Sequence, residues 1–255
     1  MRWRVEVSDL NGDHRLLRDV LRELSITLLE EEDRRSLVSD EFEVLDTPGE
    51  VHELASRVQS IIEEATKGDP AIQLSFKIGS VIEETRDGGR RKHAFLTVAA
   101  GHFRMTGHVA NLEVGTLAEV SEDERRHLEE EQREREYQQL RHKALSRIVS
   151  AFRDERALQV QRLLQGELTP HTMGHIADLI QDDIGSAMRD LVPDKQLSRF
   201  YRSINHPDVF GEQARHIVSN VEPPPNPMSL EEARNFVRGL ANHWMDRKAG
   251  LNYDA

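Results

Sequence analysis

Ile72-Gln73-Leu74-Ser75-Phe76-Lys77-Ile78-Gly79-Ser80-Val81-Ile82 is the stretch whose reading decides the fold. Apolar residues at 72, 74, 76 and 78 alternate with polar ones, the period of a strand that buries one face. Gly79 interrupts the alternation and predicts a bulge, after which Val81-Ile82 continue the strand. Before this stretch, Thr47-Pro48-Gly49-Glu50 reads as a capping box with proline at the first helical position. Val51, Leu54, Ala55, Val58, Ile61 and Ile62 then line one face of a helix that ends at Gly68-Asp69-Pro70.

The same two periods extend to both sides. Trp3, Val5 and Val7 alternate as a strand, and Leu16, Leu17, Val20, Leu21 and Leu24 follow helical spacing. Ile26 to Glu30 and Leu37 to Phe42 are expected as further strands. Asp87-Gly88-Gly89 predicts a turn, because glycine takes positive φ at little cost, and Phe95–Val98 and Phe103–Val109 supply later strands. After Val120 the alternation stops. Ser121-Glu122-Asp123-Glu124 is a second capping box, opening a charged run through Arg141 that projects as a solvated helix or connects the two parts. Helical spacing returns from Leu140 onward and runs to a final helix opened by Ser229-Leu230-Glu231-Glu232 and ended near Gly250. The fold class expected is α+β. A mostly antiparallel sheet with helices occupies 1–118, and an all-α domain occupies 119–255.

Composition narrows the functional classes. The chain has no cysteine, which removes disulfides, thiolate metal sites and thiol nucleophiles. A net charge of −12 opposes general attraction to nucleic acid or to an anionic membrane. No signal peptide or membrane helix is expected, so the expected location is cytoplasmic. His171 and His175 lie one helical turn apart, but Thr172 stands where a zinc-protease motif needs glutamate, and neither metal nor cofactor is expected.

The densest polar chemistry lies between Arg199 and His216. Arg199 and Arg202 sit on an amphipathic segment with Leu197, Phe200, Tyr201 and Ile204 on its apolar face. Pro207 disfavours helical geometry at His206, so that helix ends near Asn205. Arg199 and His206 are the candidate catalytic pair, with Arg202, Asn205, Arg215 and His216 as candidate binding residues. Arginine forks grip phosphate, and a histidine exchanges protons near neutral pH. The structural reading of the same residues has Asn205 and His206 capping a helix, Gly211 permitting a tight turn and Arg215 pairing with a carboxylate. Pro223-Pro224-Pro225-Asn226-Pro227 follows as a stiff strap that returns the last helix to the fold.

The six residues between Arg199 and His206 match the spacing of the arginine–histidine motif of the helical HEPN superfamily, which this part resembles. The resemblance implies metal-independent RNA cleavage, commonly at a dimer interface. Phe200 stands where that family usually carries a polar residue. The layout from Trp3-Arg4-Val5-Glu6-Val7 to Pro223 through Arg234 also resembles a group of uncharacterised bacterial two-domain proteins, which implies no activity. The leading expectation is therefore a regulatory or protein-interaction protein, in a bacterial defence or stress system, with a protein partner and a homo-oligomeric state open to it. A HEPN-like ribonuclease acting on RNA is the alternative. A helix-turn-helix reading of Thr169 to Asn205 is the third, opposed by Asp178, Asp182, Asp183, Asp190 and Asp194 on the same elements.

Overall fold

In the computed structural model, which describes residues 2–31, 34–85, 87, 89–95, 122–216 and 222–251, the first half is built on one antiparallel sheet. Strand β1 (Arg2–Asn11) leads to helix α1 (His14–Glu23), then β2 (Ile26–Glu31), β3 (Arg34–Ser39), α2 (Asp40–Glu43), α3 (Pro48–Thr66), β4 (Ser75–Glu84) and β5 (Arg90–His93). The sheet order is β2-β3-β1-β4-β5, with every pairing antiparallel. The α+β class is as the two periods require.

Local chemistry explains these elements. The Thr47 hydroxyl accepts from Glu50 N while Glu50 receives the Thr47 N–H, so the capping box closes in both directions at the start of α3. In the β1–β4 ladder the register slips between Val5↔Val81 and Val7↔Ile78, which places an extra residue at Gly79–Ser80, where the bulge was expected. A Cβ at Gly79 would lie 3.2 Å from Glu6 O, so the close approach of β1 favours glycine there. A second slip, between Ser8↔Lys77 and Asn11↔Ser75, puts the extra residue in β1, and Asp9 takes φ 50 to fit it. Two strand expectations need correction. The strand expected from Ile72 begins only at Ser75, although Ile72 and Leu74 are buried ahead of it. The segment Leu37 to Phe42 stops being a strand at Ser39, whose hydroxyl accepts from Glu41 N and starts the short helix α2, burying Phe42 completely. The strands expected at Phe103–Val109, and Phe95–Val98 beyond its first residue, lie outside the described residues, as does Gly88 of the expected turn.

The second half is helical among the described residues: α4 (Glu122–Arg153), α5 (Glu155–Gln165), α6 (Pro170–Ile184), α7 (Met188–Leu191), α8 (Asp194–Asn205), α9 (Pro207–Phe210) and α10 (Leu230–Ala249). The charged run and the apolar helix after it form one element of 32 residues, α4. Its positions from Arg126 to Glu136 are exposed, whereas Tyr137, Ala144, Leu145, Ile148, Val149 and Ala151 join the core built by the sheet and α1 and α3. Its charges also fasten it. Arg15 makes two 3.0 Å hydrogen bonds to Glu134, and Tyr137 and Arg141 both donate to Asp19. A second core gathers Val160, Met173, Ile176, Ile180, Phe200, Ile204, Val237, Leu240 and Trp244 from α5, α6, α8 and α10.

Ser229 and Glu232 close the second observed capping box at the start of α10, and Gly250 ends it at φ 73. Both were expected. Trp244, with no exposed surface, donates from Nε1 to Asp183 Oδ2 at 2.8 Å. The same carboxylate pairs with Arg156 and Lys248, both of which also reach Asp154, the N-cap of α5. This network stitches the ends of α5, α6 and α10 together.

Candidate functional site

The face formed by α8 and the proline strap carries Arg199 and Arg202. Helix α8 ends at Asn205, as Pro207 requires, and buries Phe200, Ser203 and Ile204. Arg199 and Arg202 therefore stand one turn apart on its opposite side. Both turn to the strap. Arg199 donates from Nε to Asn226 O at 2.6 Å and from Nη2 to Pro227 O and Glu232 at 3.3 Å. Arg202 Nη2 donates to Glu222 O at 2.7 Å and Pro223 O at 3.3 Å. Ser203 completes the clamp by accepting the Met228 N–H at 2.9 Å. Proline-rich backbone supplies carbonyls and few N–H groups, so a guanidinium is the natural partner to hold it.

The clamp leaves a cavity of about 390 Å³ between helix and strap, lined by Lys195, Ser198, Arg199, Arg202, Pro224 and Asn226 among others. Pro224 is buried, while Pro225, Asn226 and Pro227 face solvent. Lys195, Arg199 and Arg202 concentrate positive charge there in a chain whose net charge is −12. Asp194 also lines the cavity, and Glu232 sits on Arg199.

The other candidate residues are used elsewhere. His206 is 7% exposed, and its Nδ1 accepts the Asp208 N–H at 3.1 Å, capping α9. That bond assigns the neutral ring's proton to Nε2. Arg215 pairs with Asp178 of α6, and its own N–H donates to Ile204 O at 2.8 Å. Asp178 also accepts from Tyr201, whose phenol is pushed well above its ordinary range by burial and then by that carboxylate. Gly174 makes room for this arrangement, since a Cβ there would lie 2.7 Å from Arg215 Cδ. Arg202 Nε and Asn205 Oδ1 are buried without a hydrogen-bond partner among the described residues. His216 is exposed. The structure thus brings Arg199 and Arg202 together on the strap and sends His206, Arg215 and their partners to separate fastenings.

Spacing alone showed the residue types of this face but not their direction, because the strap carbonyls they hold lie 20 to 28 positions away in the chain. Two residues of the groove, Lys195 and Ser198, were not singled out by sequence. Their signal was their place one turn before Arg199 and Arg202. A larger cavity of about 820 Å³ lies between α3 and the start of β4, and no motif pointed to it. Apart from Lys67, its charged groups are already engaged: Lys77 with Asp9, Glu64 with Arg162 and Glu63 with Gln59. His171 and His175 are exposed on α6, and no cluster of three or more metal-ligating side chains occurs among the described residues. No family model, curated protein or solved structure matches the chain.

Proposed function

We propose that this protein works by binding another protein, and that the groove between α8 and the proline strap receives an extended, acidic segment of that partner. The observation that carries this reading is the double arginine clamp. Arg199 and Arg202 fix the strap through its carbonyls, so that Pro225-Asn226-Pro227 stands exposed on a rigid mount beside Lys195. A surface ordered before binding loses little entropy when a partner docks. The cationic lining adds selectivity for acidic chains over the rest of an acidic protein surface.

The ribonuclease reading asks Arg199 and His206 to address one phosphate. Their hydrogen bonds run to different partners, the strap carbonyls and Asp208 N, and the His206 ring is buried. Likewise, a helix-turn-helix would need Arg199 and Arg202 free for a groove, and both are engaged with the strap. The interaction reading uses the residues as they stand.

A photo-crosslinking amino acid at Ser198 tests it, with a second one at exposed Lys77 as control. A discrete partner captured at position 198 and lost with Lys195→Glu supports the reading, because that change cancels the groove's net positive charge without touching the clamp. Equal capture at both positions, or a monomer that captures nothing, counts against it.

A further inference from the structure

A different cavity lies where the two cores meet. It measures about 290 Å³ and is lined by Lys67 and Asp69 after α3, Arg147 of α4, Gln161 and Leu164 of α5 and Met245 of α10, with Ala65 behind them. Gln161 is 4% exposed. Its Nε2 is committed, donating to Arg147 O at 2.8 Å and to Met245 Sδ at 3.4 Å. Its Oε1 is left with no hydrogen-bond donor among the described residues. A buried amide oxygen without a donor is costly, so such a group calls for one from water or a ligand.

The lining has a definite polarity. Lys67 and Arg147 bring two positive charges, Asp69 brings one negative charge, and Arg147 Nη1 lies 3.2 Å from Asp69 Oδ2. Lys143 approaches the same carboxylate from outside the cavity. Ala65, Leu164 and Met245 form the apolar part. At roughly 30 Å³ per water the space is of the order of ten waters, or one small organic molecule.

From the orphaned Gln161 oxygen and this charge layout we propose that the cavity binds a free α-amino acid with an aliphatic side chain. The ammonium group donates to Gln161 Oε1 and faces Asp69. The carboxylate lies toward Lys67 and Arg147, and the side chain rests against Leu164 and Met245. Because the lining comes from α3's end, α4, α5 and α10, an occupant joins the sheet-bearing half to the helical half. Occupancy then stiffens the seam between them, an arrangement suited to sensing the ligand.

The test titrates the full chain with the free L-amino acids at millimolar concentration, followed by calorimetry and thermal melting. At least one aliphatic amino acid is expected to give saturable heat and raise Tm by a few degrees. Its N-acetyl derivative and the matching α-hydroxy acid, which lack the ammonium, are expected to do neither. The methyl resonance of Met245 should shift to the same end point in the wild-type protein. Leu164→Trp fills the cavity from its half-buried rim and leaves Gln161 in place, so it should abolish the heat. No heat and no Tm shift with any amino acid overturns the proposal, as does binding that leaves the Met245 methyl unmoved or survives in Leu164→Trp.

Discussion

Trp244→Ala removes the largest side chain of the second core, and the structure sets the size of the effect. The indole has no exposed surface and packs in the cluster with Ile176, Phe200 and Leu240. Truncating a fully buried aromatic costs about 3–5 kcal/mol through lost transfer energy and the cavity left behind. The substitution also removes the Nε1 donor from Asp183, but Arg156 and Lys248 still hold that carboxylate at 2.6 and 2.9 Å. Losing one of three partners therefore adds less than a full unsatisfied charge would, on the order of 1 kcal/mol. Trp244→Phe separates the two contributions, since it keeps most of the ring volume and drops the N–H. The expected losses are about 4–6 kcal/mol for alanine and roughly 1–3 kcal/mol for phenylalanine. Urea unfolding followed by circular dichroism at equilibrium measures both. Far-ultraviolet dichroism is the better probe, because Trp3 and Trp244 would both report in fluorescence. An alanine variant within about 1 kcal/mol of wild type would refute the reasoning, because it would place the indole outside the load of the core.

Further outcomes follow from the same contacts. Burial pushes Asp154 up, but hydrogen bonds from Arg156 and Lys248 outweigh it and hold the carboxyl well below its ordinary 3.8. A carboxyl depressed in the folded state stabilises fully above the unfolded value and loses that contribution as pH falls through the folded one. Stability is therefore expected to be level from neutral pH down to about 5 and to decline below about 4, with Asp154→Asn flattening that acid limb in melts taken across pH. Arg199→Ala with Arg202→Ala should release the strap, seen as faster amide exchange at Asn226, Met228 and Ser229 while α6 stays protected; unchanged exchange would show that the prolines hold themselves. Metal-free RNA cleavage should be at background in wild type and in His206→Ala alike, and cleavage lost only in the variant would restore the catalytic reading of that histidine. Gly174→Val should displace Arg215 from Asp178, lowering Tm by a few degrees, and a variant as stable as wild type would show that the pairing contributes nothing.

Much of the fold was legible because it rests on local rules. The alternation at 72–78 and the bulge at Gly79, the Thr47 and Ser229 capping boxes and the stop imposed by Pro207 each depend on neighbours within a few positions. The end of β3 at Ser39 was missed because apolar Leu37-Val38 and Phe42 were joined into one strand, whereas the Ser39 N-cap turns the chain into a helix between them. At the candidate site, the sequence showed which residues carry charge and hydrogen-bonding power. It could not show where they point.

By itself, then, the chain determined its main helices and the central strands, its α+β class and the helix ends around Asn205 and Gly250. Tertiary structure decided two things. It made α4 common property, with Glu134 and Arg141 of its otherwise solvated charged run pairing with Arg15 and Asp19, and with an apolar face in the first core. It also turned Arg199 and Arg202 onto the strap and His206 onto Asp208. The physical reason is the same in both cases. A charged side chain finds its partner through space across tens of residues, and no periodicity in the chain records that distance.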